Sequence, residues 1–287
     1  MKTSLEALLY LLICAMVSCN IVNPKESIPT YVQIDSVRLI PTVPATHGSV
    51  SHKITDVWVY YERELLGAFE LPARVPVLAK DKGQLQVIGG IWDNGLSGTR
   101  AKYPFFMIDT FTFNAKPTET IHHIPFFNYR TSDTPAIKYF IEGFEQGNSF
   151  IKKDGDTTLA KTNIATDRFE GDWSSIVELH DTINTFESIT TQNFVVPPNR
   201  ECYMELNYKS DIPLQIRIEL LYQGAYIKSD VIGLNAKDNW SKIYINLKGF
   251  TTTYQNASFN IIIKGSLPNT KTSSKTLIDN FKIIYYN

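Results

Sequence analysis

Runs in which apolar and polar residues alternate recur from near the start of this chain to its end, while no long stretch carries the 3.6-residue apolar period of an amphipathic helix. A strand sends successive side chains to opposite faces, so each such run reads as a half-buried strand. The clearest are Tyr31 to Leu39, Val57 to Tyr61, Leu65 to Leu71, Gln84 to Ile88, Cys202 to Tyr208, Leu214 to Leu220 and Phe259 to Ile263. Between Asn239 and Leu247, Trp240, Lys242, Tyr244 and Asn246 fall on one face and Ser241, Ile243, Ile245 and Leu247 on the other, which predicts one dry face and one polar face. Tyr, Phe, Val, Ile and Thr dominate, and turn residues interrupt the runs at short intervals. The expected fold class is all-β, built from sandwiches.

A chain of 287 residues with 43% hydrophobic content can bury a real core, and its length favours two domains. Thr131-Ser132-Asp133-Thr134-Pro135 is polar and ends in proline, which marks a boundary. This divides the chain into a first domain over 30–130, a linker over 131–138 and a second domain over 139–287. In the first domain the runs around Glu62-Arg63-Glu64 fit a hairpin. Pro72 and Pro76 are expected to stop its pairing, Lys82-Gly83 to make the next turn, and Gly89-Gly90 and Asn94-Gly95 to allow unusual backbone conformations.

The stretch VWVYYERELLGAFELPARVPVLAKDKGQLQVI resembles the PEGA-type, immunoglobulin-like β-sandwich repeat, although Glu62-Arg63-Glu64 stands where that pattern has Asp-Gly. A wider run that includes IPTYVQIDSVRL and GGIWDNGLSGTRAKYPFF is similar to an uncharacterised family of Bacteroidota-type lipoproteins, a likeness that implies no activity. Trp58, Trp92, Tyr103, Phe105 and Phe106 are read as core or inter-domain packing in preference to a sugar platform. His122 and His123, neighbours on a strand, face opposite ways, and no third ligand lies at metal-site spacing, which argues against zinc.

The second domain opens with FIEGFEQG and closes with LIDNFKIIYY, with NWSKIYINL between them. These words resemble the galactose-binding-like jelly rolls that include many carbohydrate-binding modules. The resemblance implies that the first and last strands lie together and that a structural calcium sits at one edge, with Glu145 and Asp279 at the positions of its ligands. Hard oxygen donors suit that ion; beyond it, no cofactor is required. The likeness also implies glycan contact through exposed aromatics on a concave sheet or at loop tips. Trp173, in the loop Glu170-Gly171-Asp172-Trp173-Ser174, is the leading candidate, followed by Tyr222, Tyr226 and Tyr254. The competing reading has Trp173 opening a strand and packing over the core. Asp154, Asp156 and Asp172 are expected to be solvated loop residues.

The amino terminus supplies an address. Lys2 precedes the run LEALLYLLICAMVSC, whose apolar part is shorter than the roughly 20 residues a spanning helix needs, as expected of a signal peptide over 1–18. Met16-Val17-Ser18-Cys19 resembles the bacterial lipobox, in which the cysteine thiolate accepts a diacylglyceryl group. Each buried methylene contributes about 0.8 kcal/mol, so several acyl chains make a lasting anchor. Residues 19–29, polar with two prolines, read as a lipidated tether. The expected location is the cell envelope, anchored to the outer membrane through Cys19, with the membrane face left open. Cys14 leaves with the signal, and Cys202 reads as a small buried hydrophobe.

With 28 basic against 29 acidic residues, no strong field draws this chain to nucleic acid. Its five histidines suggest no triad, and there is no nucleophile elbow, phosphate loop or zinc-protease helix. Glu142/Glu145 and Glu170/Asp172 are acidic pairs without the surroundings that would mark a glycosidase. The expectation is a non-enzymatic, lipid-anchored protein that recognises a glycan or an envelope protein through its jelly roll. The alternatives are an accessory scaffold lipoprotein without glycan binding and, third, a hydrolase. An aromatic row on an open sheet would favour the first, a continuous apolar patch the second and a deep acidic cleft with facing carboxylates the third.

Overall fold

The computed structural model describes residues 26–131 and 136–287. The signal peptide, Cys19 and all but the end of the tether lie outside them, as do four residues of the linker.

The first domain contains β1 (Thr30–Ile34), β2 (Arg38–Leu39), the single turn α1 (Pro44–His47), β3 (Asp56–Tyr61), β4 (Glu64–Glu70), β5 (Ala73–Val77), β6 (Lys82–Trp92), β7 (Arg100–Lys102), β8 (Asp109–Asn114), β9 (Thr120–His122) and β10 (Phe126–Phe127). One sheet has the order β4-β3-β6-β7, with β8 also on β6; a second is β5-β1-β9, and β2 pairs β10. The run from Tyr31 to Leu39 is thus two strands, because the chain leaves one sheet at Asp35-Ser36 and joins another at Arg38.

The β3–β4 hairpin has a two-residue tip. Tyr61 pairs Glu64, and Glu62 and Arg63 take φ of 46° and 73°. Positive φ at both central positions is the type I′ requirement, normally met by Asn-Gly. Pro76 does not stop pairing: it sits in β5 opposite Tyr31, at a sheet edge where its missing N–H leaves the one ladder intact.

The second domain contains β11 (Ile137–Glu142), β12 (Phe150–Gly155), β13 (Ala160–Thr162), β14 (Ser174–His180), β15 (Thr185–Thr190), β16 (Phe194–Val195), β17 (Cys202–Ser210), β18 (Leu214–Tyr222), β19 (Ala225–Leu234), β20 (Lys237–Asn246), the short α2 (Lys248–Thr253), β21 (Ser258–Ser266) and β22 (Ser273–Tyr286). Two antiparallel sheets face each other as a jelly roll. The docked sheet has the order β13-β14-β22-β17-β20 with β11 also on β22; the free sheet has the order β12-β15-β21-β18-β19 with β16 on β21. The first strand pairs the last, from Ile137 opposite Tyr286 to Glu142 opposite Phe281.

Phe186, Ile216, Ile218, Phe259 and Ile261 of the free sheet meet Met204, Leu206, Ile245, Phe281 and Ile283 of the docked sheet in one core. Cys202 lies fully buried there, and burial pushes its thiol far above the usual range, which leaves it an inert hydrophobe. The chain is all-β apart from short helical turns.

The docked sheet is named for its other face. Tyr203, Tyr244 and Ile284 point away from the jelly-roll core into the same apolar cluster as Val32, Val57, Phe105 and Phe127 of the first domain. The face that alternation marked as polar is therefore not solvated. Lys242 and Tyr244 are buried beneath the first domain, a tertiary cover that no local period reveals.

Candidate functional site

The domain seam holds a buried charge centre. Glu205 on β17 is fully buried, with Lys242 of β20 at 2.9 Å and Lys282 of β22 at 3.8 Å from its Oε2. The first domain supplies the remaining partners: the Tyr103 hydroxyl donates to Oε1, and the Tyr129 hydroxyl lies 2.8 Å from Oε2. Burial alone would push the Glu205 carboxyl up, but the two lysines and the Tyr103 hydroxyl outweigh it and hold it at about 2. Lys282 is the loser of the arrangement. Its ammonium sits 3.7 Å from the centre of the Tyr129 ring with no hydrogen-bond acceptor, and burial brings it down to about 7 despite Glu205. Trp58 and Trp92 are half-buried, whereas Tyr103, Phe105 and Phe106 are packed inside, as the packing reading expected. His122 and His123 diverge, to Asp35 at 3.4 Å and to Asp109 at 2.6 Å.

A cleft of about 870 Å³ opens where α1 meets the loops of the second domain, and Glu142, Glu145, Glu170 and Asp279 line it. Here the two residues singled out for calcium do come together, but as caps. Glu145 accepts the backbone N–H groups of Asp172 at 3.0 Å and Trp173 at 3.2 Å. Asp279 accepts the Ser174 hydroxyl at 2.6 Å and the Asn280 N–H at 2.7 Å. Burial raises the Asp279 carboxyl to about 6 against those bonds, with Glu170 adding to the rise. Among the described residues no group of three His, Cys, Asp or Glu could hold a metal ion. Calcium needs six to eight oxygens, and these carboxylates are already taken by N–H and O–H donors, so the residues present do not fit it. Asp279 is 1% exposed, and Glu142 is bound by the N–H groups of Phe144 at 2.5 Å and Ser149 at 2.6 Å, so neither carboxylate stands free in the cleft. Asp156 is also a cap, binding Thr185 and the Asn184 N–H, while Asp154 and Asp172 are exposed.

The four aromatic candidates do not form a row. Trp173 precedes β14 and packs against the jelly-roll core, with the Lys161 ammonium 4.5 Å above its ring. Tyr222 and Tyr254 meet edge to face at 5.5 Å and also pack on that core. Tyr226 alone projects into solvent, 75% exposed. The β18–β19 hairpin explains the split. Gln223 and Gly224 turn with positive φ, Tyr222 continues the inward set of Ile218 and Leu220, and Tyr226 pairs Leu221 on the outward set.

That outward face of the free sheet carries a charged lattice, which sequence reasoning missed. Glu187 of β15 and Glu219 of β18 lie at its centre, each mostly buried. Lys153 reaches Glu219 at 2.9 Å, Lys228 stands 3.4 Å from Glu187, Lys264 is 3.9 Å from Glu187, and Arg217 binds Asp230 at 2.6 Å. Lys153 and Glu219 belong to strands three places apart, a span of about 14 Å on a flat sheet. The pair reaches across β15 and β21, and a bulge lies between Lys152 and Asp154 on the edge strand. A hollow of about 230 Å³ bounded by Asp154, Glu187 and Lys264 lies at one end, and exposed Leu221 and Tyr226 lie toward the other. The legible signal was the outward set Gln215, Arg217 and Glu219 within an alternating run; which sheet would be left open was not legible.

No protein-family model matches the chain, and no curated protein matches it. Among solved structures, half of the chain is similar to TmCBM61 in complex with β-1,4-galactotriose, at 13% identity and a TM-score of 0.29, covering 50% of this chain and 86% of that one. It is also similar to a carbohydrate-binding module of family 29, at 11% identity and a TM-score of 0.35, covering 51% of this chain and 87% of that one. A variant of the module CBM29-2 complexed with mannohexaose is similar at 11% identity and a TM-score of 0.35, covering 51% and 90%.

Proposed function

We propose that this chain is a non-catalytic glycan-binding protein held at the cell envelope, and that the open outer face of the free sheet is its recognition surface. One observation carries the reading: of the two outward faces of the jelly roll, one is covered by the first domain and the other is left open and lined with hydrogen-bonding charges held in ion pairs. Hydroxyl groups of a glycan are read by such carboxylate, ammonium and guanidinium groups when these are held in place, and the ion pairs hold them. Tyr226 supplies an exposed ring for a sugar face. In this reading Cys19 carries the acyl anchor and residues 19–29 form the tether, supported by the lipobox-like stretch. The first domain is the rigid mount, since it packs on the opposite sheet.

The test is a glycan array probed with the intact mature domains beside the Tyr226→Ala and Arg217→Ala variants. The expected result is retention of a defined glycan set that both substitutions weaken without lowering the melting temperature by more than a few degrees. Retention of no glycan by the parent protein, or an unchanged profile in both variants, would overturn the reading in favour of a scaffold role.

A further inference from the structure

A second cavity, of about 330 Å³, lies at the seam between the domains, on the side where the β19–β20 connection meets the turn after β6. Its lining combines Lys53, Trp92 and Leu96 of the first domain with Asn235, Lys237 and Ser241 of the second. Three lysines line it in all and no acidic residue does. Lys242 is committed to Glu205 at 2.9 Å, but Lys53 and Lys237 have no carboxylate within ion-pair distance among the described residues. Asp93, the nearest acid in sequence to Trp92, is turned to Asn246 at 3.2 Å. The Lys53 ammonium rests 3.4 Å from the Ser241 hydroxyl and 5.7 Å from the centre of the Trp92 ring. Burial, with Lys237 nearby, lowers the Lys53 pKa, as expected where positive charge is concentrated without a counter-charge. The Trp92 indole N–H is buried without an acceptor.

Two ammonium groups without a carboxylate partner, the side chain of Asn235 and an aromatic wall form a set that lacks an anion. The volume is at the small end of ligand pockets, and the indole offers an electron-rich face to polarised C–H groups. We infer that this cavity binds an acidic sugar unit, a hydroxylated ring bearing one carboxylate, with the anion at Lys53 and Lys237 and the ring against Trp92. The site is separate from the outer face of the free sheet and does not depend on it.

The experiment titrates the intact protein with sodium glucuronate, glucose and inorganic phosphate, followed by calorimetry and tryptophan fluorescence. Saturable glucuronate binding at least tenfold tighter than either glucose or phosphate is expected, falling at least tenfold in Lys53→Gln/Lys237→Gln and weakened in Trp92→Phe. Lys237→Gln alone, at an exposed position, provides a variant whose folding is not in question, and it should lose severalfold. Glucuronate that fails to saturate, glucose or phosphate binding equally well, or an unchanged Lys237→Gln titration would overturn the assignment. Because Tyr226 and Arg217 lie elsewhere, their substitution leaves this titration unaltered, so failure of the sheet-face reading and failure of this one are told apart.

Discussion

The Tyr129 hydroxyl of the first domain lies 2.8 Å from Oε2 of Glu205, a carboxylate buried on the sheet of the second. The two domains are thus joined through a charge that neither could bury alone. Removing one member of a buried ionic set leaves the others uncompensated, which costs about 3–5 kcal/mol. Glu205→Gln is expected to destabilise the protein by that amount in urea unfolding, because Lys242 and Lys282 lose their shared counter-charge. Replacing all three by Leu and Met should recover most of the loss. A Glu205→Gln protein as stable as its parent would show that the set carries no such penalty.

The same centre sets the pH response. The Glu205 carboxyl falls from its ordinary 4.5 to about 2 in the fold, so its contribution is complete above about 4.5 and is lost as pH falls toward 2. Lys282 falls from 10.5 to about 7, so the unfolded chain binds more protons between those values and stability rises with pH across that window. Asp279 goes the other way, from 3.8 to about 6, and its contribution declines as pH rises between them. Unfolding free energies measured from pH 6 to 10 should climb in the parent protein and climb less in Lys282→Met. Parallel curves would remove Lys282 as the source.

Trp173→Ala is expected to lower stability, by about 2–3 kcal/mol, since the ring packs on the jelly-roll core beneath the Lys161 ammonium. Glycan retention per folded molecule should not change. Paired melting and array measurements on Trp173→Ala and Tyr226→Ala separate the two positions, and a stable Trp173→Ala protein with lost retention would return Trp173 to the binding surface.

Alternation along single strands made the all-β class and most strand positions legible, and the words FIEGFEQG and LIDNFKIIYY correctly placed first and last strands side by side. What alternation cannot report is what covers each face. Lys242 and Arg217 look alike in sequence, each a cation followed by isoleucine on an alternating run. One is buried against Glu205 because the first domain docks there, and the other stays on the surface with Asp230. The sense of each hairpin decided the aromatics: a single step in register separates Tyr222, turned to the core, from Tyr226, turned to solvent.

Gly171 links the loop of Trp173 to the acidic cleft. It takes φ of +65°, a conformation that disfavours any side chain, and a Cβ there would stand 2.1 Å from Oε1 of Glu145. Gly171→Ala therefore acts twice: it strains the backbone, and it displaces the carboxylate that caps the N–H groups of Asp172 and Trp173. A left-handed site filled by alanine costs about 1 kcal/mol, and a lost charge-assisted cap adds about 1–2 kcal/mol. Glu145→Gln in the glycine parent removes only the charge of the cap and should cost less than half as much. If Gly171→Ala and Glu145→Gln instead destabilise equally in thermal melts, and their double variant is no worse than either, the cap alone governs this loop and the backbone contributes nothing.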